Sequence, residues 1–185
     1  MIAVLVIVAV ALAVVLWFFG AYNGLVRMRQ EVKSAWSQID VQLKRRHDLI
    51  PNLVEAVKGY LGHERQTLEG VIKARQQAID ASGLKDKIQA ENMLTQTLRS
   101  LFAVSERYPD LKANQNVMAL QEELTSTENR ISFARQFYND QAMRLNTVVE
   151  SVPTNVVAGM TGFSKQEFFE IEDTAHRAAP AVKFS

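Results

Sequence analysis

Few residues in this 185-residue chain are of types that do chemistry. There is no cysteine, which removes thiol nucleophiles and thiolate metal sites. The three histidines, His47, His63 and His176, are scattered. His63-Glu64 opens like a zincin motif, but position 67 is Thr, so the second histidine one turn on is missing. No G-x-x-x-x-G-K or G-x-G-x-x-G phosphate loop occurs. Glu122, Glu123, Glu128 and Asp140 lack the Glu-x-x-His partners that a di-iron bundle needs, so they read as a solvated helix face. The expectation is a protein with no catalytic residues, no metal and no cofactor, and therefore not an enzyme.

One charged cluster stands out, Lys44-Arg45-Arg46-His47. It lies about 22 residues beyond an apolar N-terminal run, or ~33 Å along a straight helix. That is too far for lipid headgroups. Two readings remain: a solvated helix end, and a contact for an acidic partner through Lys44, Arg45 and Arg46. The 21 Lys and Arg nearly cancel the 20 Asp and Glu, which argues against nucleic acid as a partner.

The elements that would position these residues begin with Ile2–Ala21, which carries no charged or polar side chain. Twenty residues of helix span ~30 Å, the thickness of a bilayer's hydrocarbon core. Trp17, Phe18, Phe19 and Tyr22 follow at its end, where aromatic rings favour the headgroup boundary, and Arg27, Arg29 and Lys33 come next. The segment is read as an uncleaved single-pass anchor, residues 1–21, contacting membrane lipid. The charge bias favours N-out, C-in and a cytoplasmic domain, with a periplasmic domain as the alternative. Gly20-x-x-x-Gly24 and Ala9-x-x-x-Ala13 have the small-residue spacing that permits close helix packing in a membrane, so Gly20 and Gly24 are candidate self-association positions.

Residues 22–152 show helical periodicity in four segments, about 22–47, 49–82, 84–107 and 114–152. Residues 44–48 can form a tight turn or continue as one helix bending before Pro51, the turn being favoured because it gives four antiparallel helices of comparable length. Ser82-Gly83 ends the second segment, and Tyr108-Pro109-Asp110 breaks the third. The last segment carries an alternating three-four seam of apolar residues from Val117 to Val152. The fold expected is all-α: a transmembrane helix leading into an antiparallel up-and-down four-helix bundle, then a partly extended tail. Arg29, Glu64, Arg75 and Thr127 interrupt the apolar stripes, and Glu64 and Arg75 are expected to pair with charges on neighbouring helices. The tail, 153–185, should hold a short helix capped by Thr154 or Asn155. Its aromatic points, Phe163, Phe168, Phe169 and Phe184, are expected to dock on the parent bundle or on a neighbour.

From Tyr22 onward the chain resembles the LemA family of bacterial membrane proteins. The resemblance is carried by Tyr22-Asn23-Gly24-Leu25-Val26, Ala35-Trp36-Ser37-Gln38-Ile39-Asp40, Asp48-Leu49-Ile50-Pro51-Asn52-Leu53 and Tyr108-Pro109-Asp110-Leu111-Lys112-Ala113-Asn114. Thr127-Glu128-Asn129-Arg130-Ile131, Tyr138-Asn139 and Gly162-Phe163 extend it to about Phe169. The resemblance implies a membrane helix, a helical bundle and no established catalytic activity. A relative in magnetotactic bacteria is implicated in shaping magnetosome membranes. Some relatives carry a lipoprotein cysteine, which implies an extracytoplasmic domain for those.

The function expected is a non-catalytic scaffold in the bacterial inner membrane that forms homo-oligomers or organises partners. The alternative is an adaptor or regulatory subunit of another membrane protein, such as a protease or sensor.

Overall fold

The computed structural model describes residues 1–62 and 64–169. Every regular element among them is α-helical: α1 (Ile2–Lys58), α2 (Arg65–Asp80), α3 (Leu84–Ser105), α4 (Pro109–Lys112), α5 (Gln115–Glu150) and α6 (Thr154–Thr161). His63 and Phe184, singled out in the sequence, lie outside the described residues.

The first helix differs most from expectation. No turn occurs at residues 44–48; α1 runs unbroken through Pro51 for 57 residues, ~86 Å of helix. The chain turns instead at residues 59–62, past Lys58, where Gly59 and Gly62 weaken the helix. Pro51 has no N–H, so the carbonyl of His47, four residues earlier, loses its helical partner. Arg75 of α2 replaces that partner, donating from Nε to the His47 carbonyl at 2.7 Å. A tertiary contact therefore closes the gap that the proline opens.

Other boundaries have local causes. Gly83, at φ +87°, adopts a positive-φ conformation open chiefly to glycine where α2 joins α3. Tyr108 is extended, as a residue before proline must be, and Pro109 opens α4. Asn114 caps α5, its side chain accepting from the N–H groups of Asn116 (3.0 Å) and Val117 (3.3 Å).

Helix α1 packs lengthwise against α5, and α2 against α3. The pairings run antiparallel: Arg45 meets Glu123 while Trp36 meets Tyr138, and Glu64 meets Arg107 while Gly70 lies beside Thr97. Two cores result. The distal core joins Ile50, Leu53 and Val57 of α1 to Val71, Leu94, Leu101, Leu111 and Leu124. The proximal core joins Leu25, Ala35 and Ile39 of α1 to Ile131, Tyr138 and Leu145 of α5, with Val157, Phe163 and Phe169 from beyond it. Residues 2–17 of α1 stand clear of both; the apolar window here has a mean hydropathy of 3.2 and none of it is buried. That helix is long and apolar enough to cross a bilayer, and it fits a single-pass membrane protein.

Candidate functional site

Between the two cores lies a layer of charge. Arg46 follows Leu43 by three residues and precedes Ile50 by four, so it falls on the buried stripe of α1 and is 1% exposed. Glu91 of α3, also 1% exposed, occupies the equivalent phase between Ile88 and Leu94. The two pair directly. Arg46 also donates from Nη1 to Glu128 Oε2 at 2.5 Å and to the Thr95 hydroxyl at 2.9 Å. His47 Nε2 faces the other Glu91 oxygen at 2.9 Å. Arg135 of α5 is buried close by, with its guanidinium 4.3 Å from the centre of the Phe169 ring. Two arginines and two glutamates thus balance without counting His47.

Burial by itself would push the Glu91 carboxyl up. The hydrogen bond to His47 and the charge of Arg46 outweigh it, so the carboxyl is held below the usual carboxylate range. A general acid or base working near neutral pH needs the opposite shift. Burial pushes Arg135 down, as does the charge of Arg46, and Glu128 and Glu91 oppose them. Through these contacts the layer ties α1, α3 and α5 together.

This corrects two expectations. Arg46 does not belong to an exposed patch with Lys44 and Arg45; those two are exposed, and Arg45 pairs with Glu123. Glu128 is not simply part of a solvated face, since it closes on Arg46. The signal in the sequence was phase: Arg46 and Glu91 sit where an apolar stripe calls for Leu or Ala. Of the other charged residues on stripes, Glu64 pairs with Arg107 at 3.4 Å, Arg75 holds the His47 carbonyl, and Arg29 lies 4.8 Å from the Phe163 ring centre. Thr127 donates to its own helix at Glu123.

As far as Phe169, the tail docks on the chain that carries it. Phe163 is buried against Tyr22, ring centres 6.0 Å apart, and Phe169 lies under Trp36 at 6.3 Å. Phe168 stays exposed. Between the two anchors, side-chain amides of α5 grip the extended backbone. Asn146 accepts from the Gln166 N–H at 2.7 Å and donates to the Gln166 carbonyl at 2.9 Å. Asn139 does the same for Phe169, at 2.7 and 3.1 Å. Seven residues of helix rise ~10.5 Å, and three residues of extended chain span ~10 Å, so the two clamps match their targets. Tyr138 adds a bond from its hydroxyl to the Glu167 carbonyl at 3.0 Å. Burial pushes that phenol up, and the charge of Glu167 adds to the shift. The aromatic content of the tail foretold docking; the asparagine pair carried no such signal, because each looks like an ordinary polar residue on a helix.

The remaining candidates face outward. Trp17, Phe19 and Tyr22 are exposed, Phe18 packs partly on the proximal core, and Arg27 and Arg29 are exposed just beyond. Neither Gly20 nor Gly24 meets another part of the chain within reach of an added Cβ. On the outer seam of α1 and α5, Val41, Phe133 and Phe137 are exposed by 62, 72 and 42% and line a shallow groove of about 590 Å³. Among the described residues, no three His, Asp or Glu side chains are grouped to hold a metal.

Comparison with known proteins gives a consistent relationship. The model of the LemA family matches residues 35–184. Magnetosome protein MamQ 2 of Paramagnetospirillum magneticum is 24% identical over 175 residues, covering 80% of this chain and 64% of its own length. Magnetosome protein MamQ of Magnetospirillum gryphiswaldense is 23% identical over 174 residues with the same coverage. Protein LemA of Metamycoplasma hominis is 26% identical over 142 residues, 76% of this chain and 65% of that one. The chain thus spans about two thirds of the length of these relatives, at 64–65%.

Proposed function

Because the chain belongs to the LemA family, we propose that it is a non-catalytic scaffold, anchored in a bacterial inner membrane by α1, which assembles with copies of itself or gathers partners there. The observation that carries this reading is the continuity of α1. One unbroken helix is bare and apolar at its start and forms the spine of both cores further on. A bundle on such a stalk keeps a set height above the bilayer, and every copy presents the same faces at the same level. Similarity to magnetosome proteins is in keeping with a role at a membrane. The Lys and Arg residues just after the span favour a cytoplasmic bundle.

In this reading, neighbours meet through the outer seam, where Val41, Phe133 and Phe137 leave an apolar patch next to Arg130. The adaptor reading draws on a different feature. An open cleft of about 790 Å³ between α3 and α5 is lined by side-chain amides, among them Gln89, Asn92, Gln96, Asn129 and Gln136, which suit the backbone of an extended partner segment.

Mass measurement of the full chain in detergent and in nanodiscs, over a hundredfold range of concentration, tests the scaffold. Oligomers that dissociate in the Phe133→Ser/Phe137→Ser variant are the expected outcome. A monomer at every concentration overturns self-assembly. One stoichiometric foreign protein captured by crosslinking in cells then favours the adaptor.

A further inference from the structure

The span is not the only apolar surface at the membrane end of the bundle. From Ser151 to Ser164 the chain carries no charged residue. This stretch is bounded by Glu150 and Lys165, which pair with each other at 2.7 Å and close it into a lobe containing α6. Within the lobe, Val157 and Ala158 are buried in the proximal core, which also holds Leu25, and α6 packs on α1. Phe18 and Ala21 pack on that same cluster, and both belong to the apolar run that ends at Ala21. The lobe therefore sits level with the last turn of the span.

Its other face is bare. Val152, Val156 and Met160 are exposed by 82, 59 and 73%. Val156 and Met160, four residues apart, share one face of α6, and Val152 is exposed in the turn that precedes it. Trp17, Phe19 and Tyr22 are exposed on α1 at the same boundary, and Arg27 and Arg29 are exposed just beyond it, where anionic headgroups would lie.

We infer that α6 and the turn before it form a second membrane contact, with Val152, Val156 and Met160 resting in the lipid interface beside the span. The occupant is lipid because the lobe packs on α1, with Phe163 against Tyr22, and shares its core cluster with Phe18 and Ala21, so it stays at the foot of the span whenever α1 crosses a bilayer. The inference rests on that anchoring. Its consequence is mechanical: a lone helix leaves its domain free to rotate about the helix axis, whereas a second contact beside it sets which faces of the bundle turn towards neighbours.

The chain has no cysteine, so single cysteines can be placed at will. Ile7→Cys, Val156→Cys, Met160→Cys and Met118→Cys each alter an exposed side chain, Met118 lying at the distal end of α5. Each full-length variant is labelled with an environment-sensitive fluorophore and reconstituted into vesicles of phosphatidylcholine and phosphatidylglycerol in equal parts, with and without brominated acyl chains. The expected result is loss of fluorescence to brominated lipid at positions 7, 156 and 160, and none at 118. If position 7 is quenched while 156 and 160 behave like 118, the second contact is wrong and the anchor stands. If position 7 also stays in water, both fall. Shielding of 156 and 160 from a water-soluble quencher without quenching by lipid would indicate a protein covering the lobe and would likewise overturn the inference.

Discussion

Arg46 shows what a single buried charge commits a fold to. It joins Glu91, Glu128 and Thr95 across three helices, so its removal leaves the buried Glu91 carboxylate with His47 as its remaining partner. Breaking one side of such a pair typically costs ~3–5 kcal/mol, whereas replacing both sides with apolar groups is often near neutral. Arg46→Met is therefore expected to lose about that much stability, and Arg46→Met with Glu91→Leu to recover most of it, as read by urea unfolding of the detergent-solubilised chain. A cost below ~1 kcal/mol for the single change would mean that the layer behaves like a surface pair. Glu91 also sets a pH dependence. Its carboxyl is depressed in the fold, so its stabilisation is complete above ~4.3, the ordinary glutamate value, and disappears as pH falls through the lower folded value. Glu91→Gln is expected to unfold with a flatter pH profile below ~pH 4.3 than the natural chain. Equal steepness in the two would remove Glu91 as the source.

At the scale of elements, two helices depend on contacts that their own sequences do not announce. Helix α1 passes Pro51 because Arg75, from a different helix, satisfies the His47 carbonyl. An unsatisfied buried carbonyl costs ~1–3 kcal/mol, which is the loss expected for Arg75→Leu. In a Pro51→Ala background the backbone N–H of residue 51 takes over, so the same change should cost measurably less. A double-mutant cycle reads the difference, and additive costs would show that Arg75 acts elsewhere. The tail is the second case. Asn139 and Asn146 supply on a helix the donor and acceptor pattern that a neighbouring strand would supply in a sheet, and they hold backbone atoms rather than side chains. Phe163 and Phe169 fix where along the groove those clamps engage.

The whole molecule consists of two apolar cores threaded on one helix and parted by the charged layer. Ile39 lies in the proximal core and Leu53 in the distal one, both fully buried. They are ~21 Å apart along α1. Each change to alanine is expected to cost ~2–5 kcal/mol, from lost burial and the cavity left behind. The two costs should add to within ~0.5 kcal/mol in the double variant if the layer insulates the cores. A larger departure in urea unfolding would mean that Arg46 and Glu91 pass packing changes from one core to the other.

Local chemistry was enough to establish the class of this protein. Twenty apolar residues in a row make a helix long and apolar enough to cross a bilayer, and three-four spacing leaves little choice but helices. The stops at Ser82-Gly83 and Tyr108-Pro109 were legible for the same reason, since each acts through its own backbone. The end of the first helix was not. Pro51 reads as a terminus until Arg75 arrives, and that arrival needs α2 folded back alongside. The basic run at residues 44–47 likewise divided only on folding. A helix face is assigned by what packs on it, so Arg45 went to the surface while its neighbour Arg46 went to the core to meet Glu91. Tertiary packing also brought α6 to the foot of α1, because residues some 130 positions apart become neighbours only when the long helices lie antiparallel.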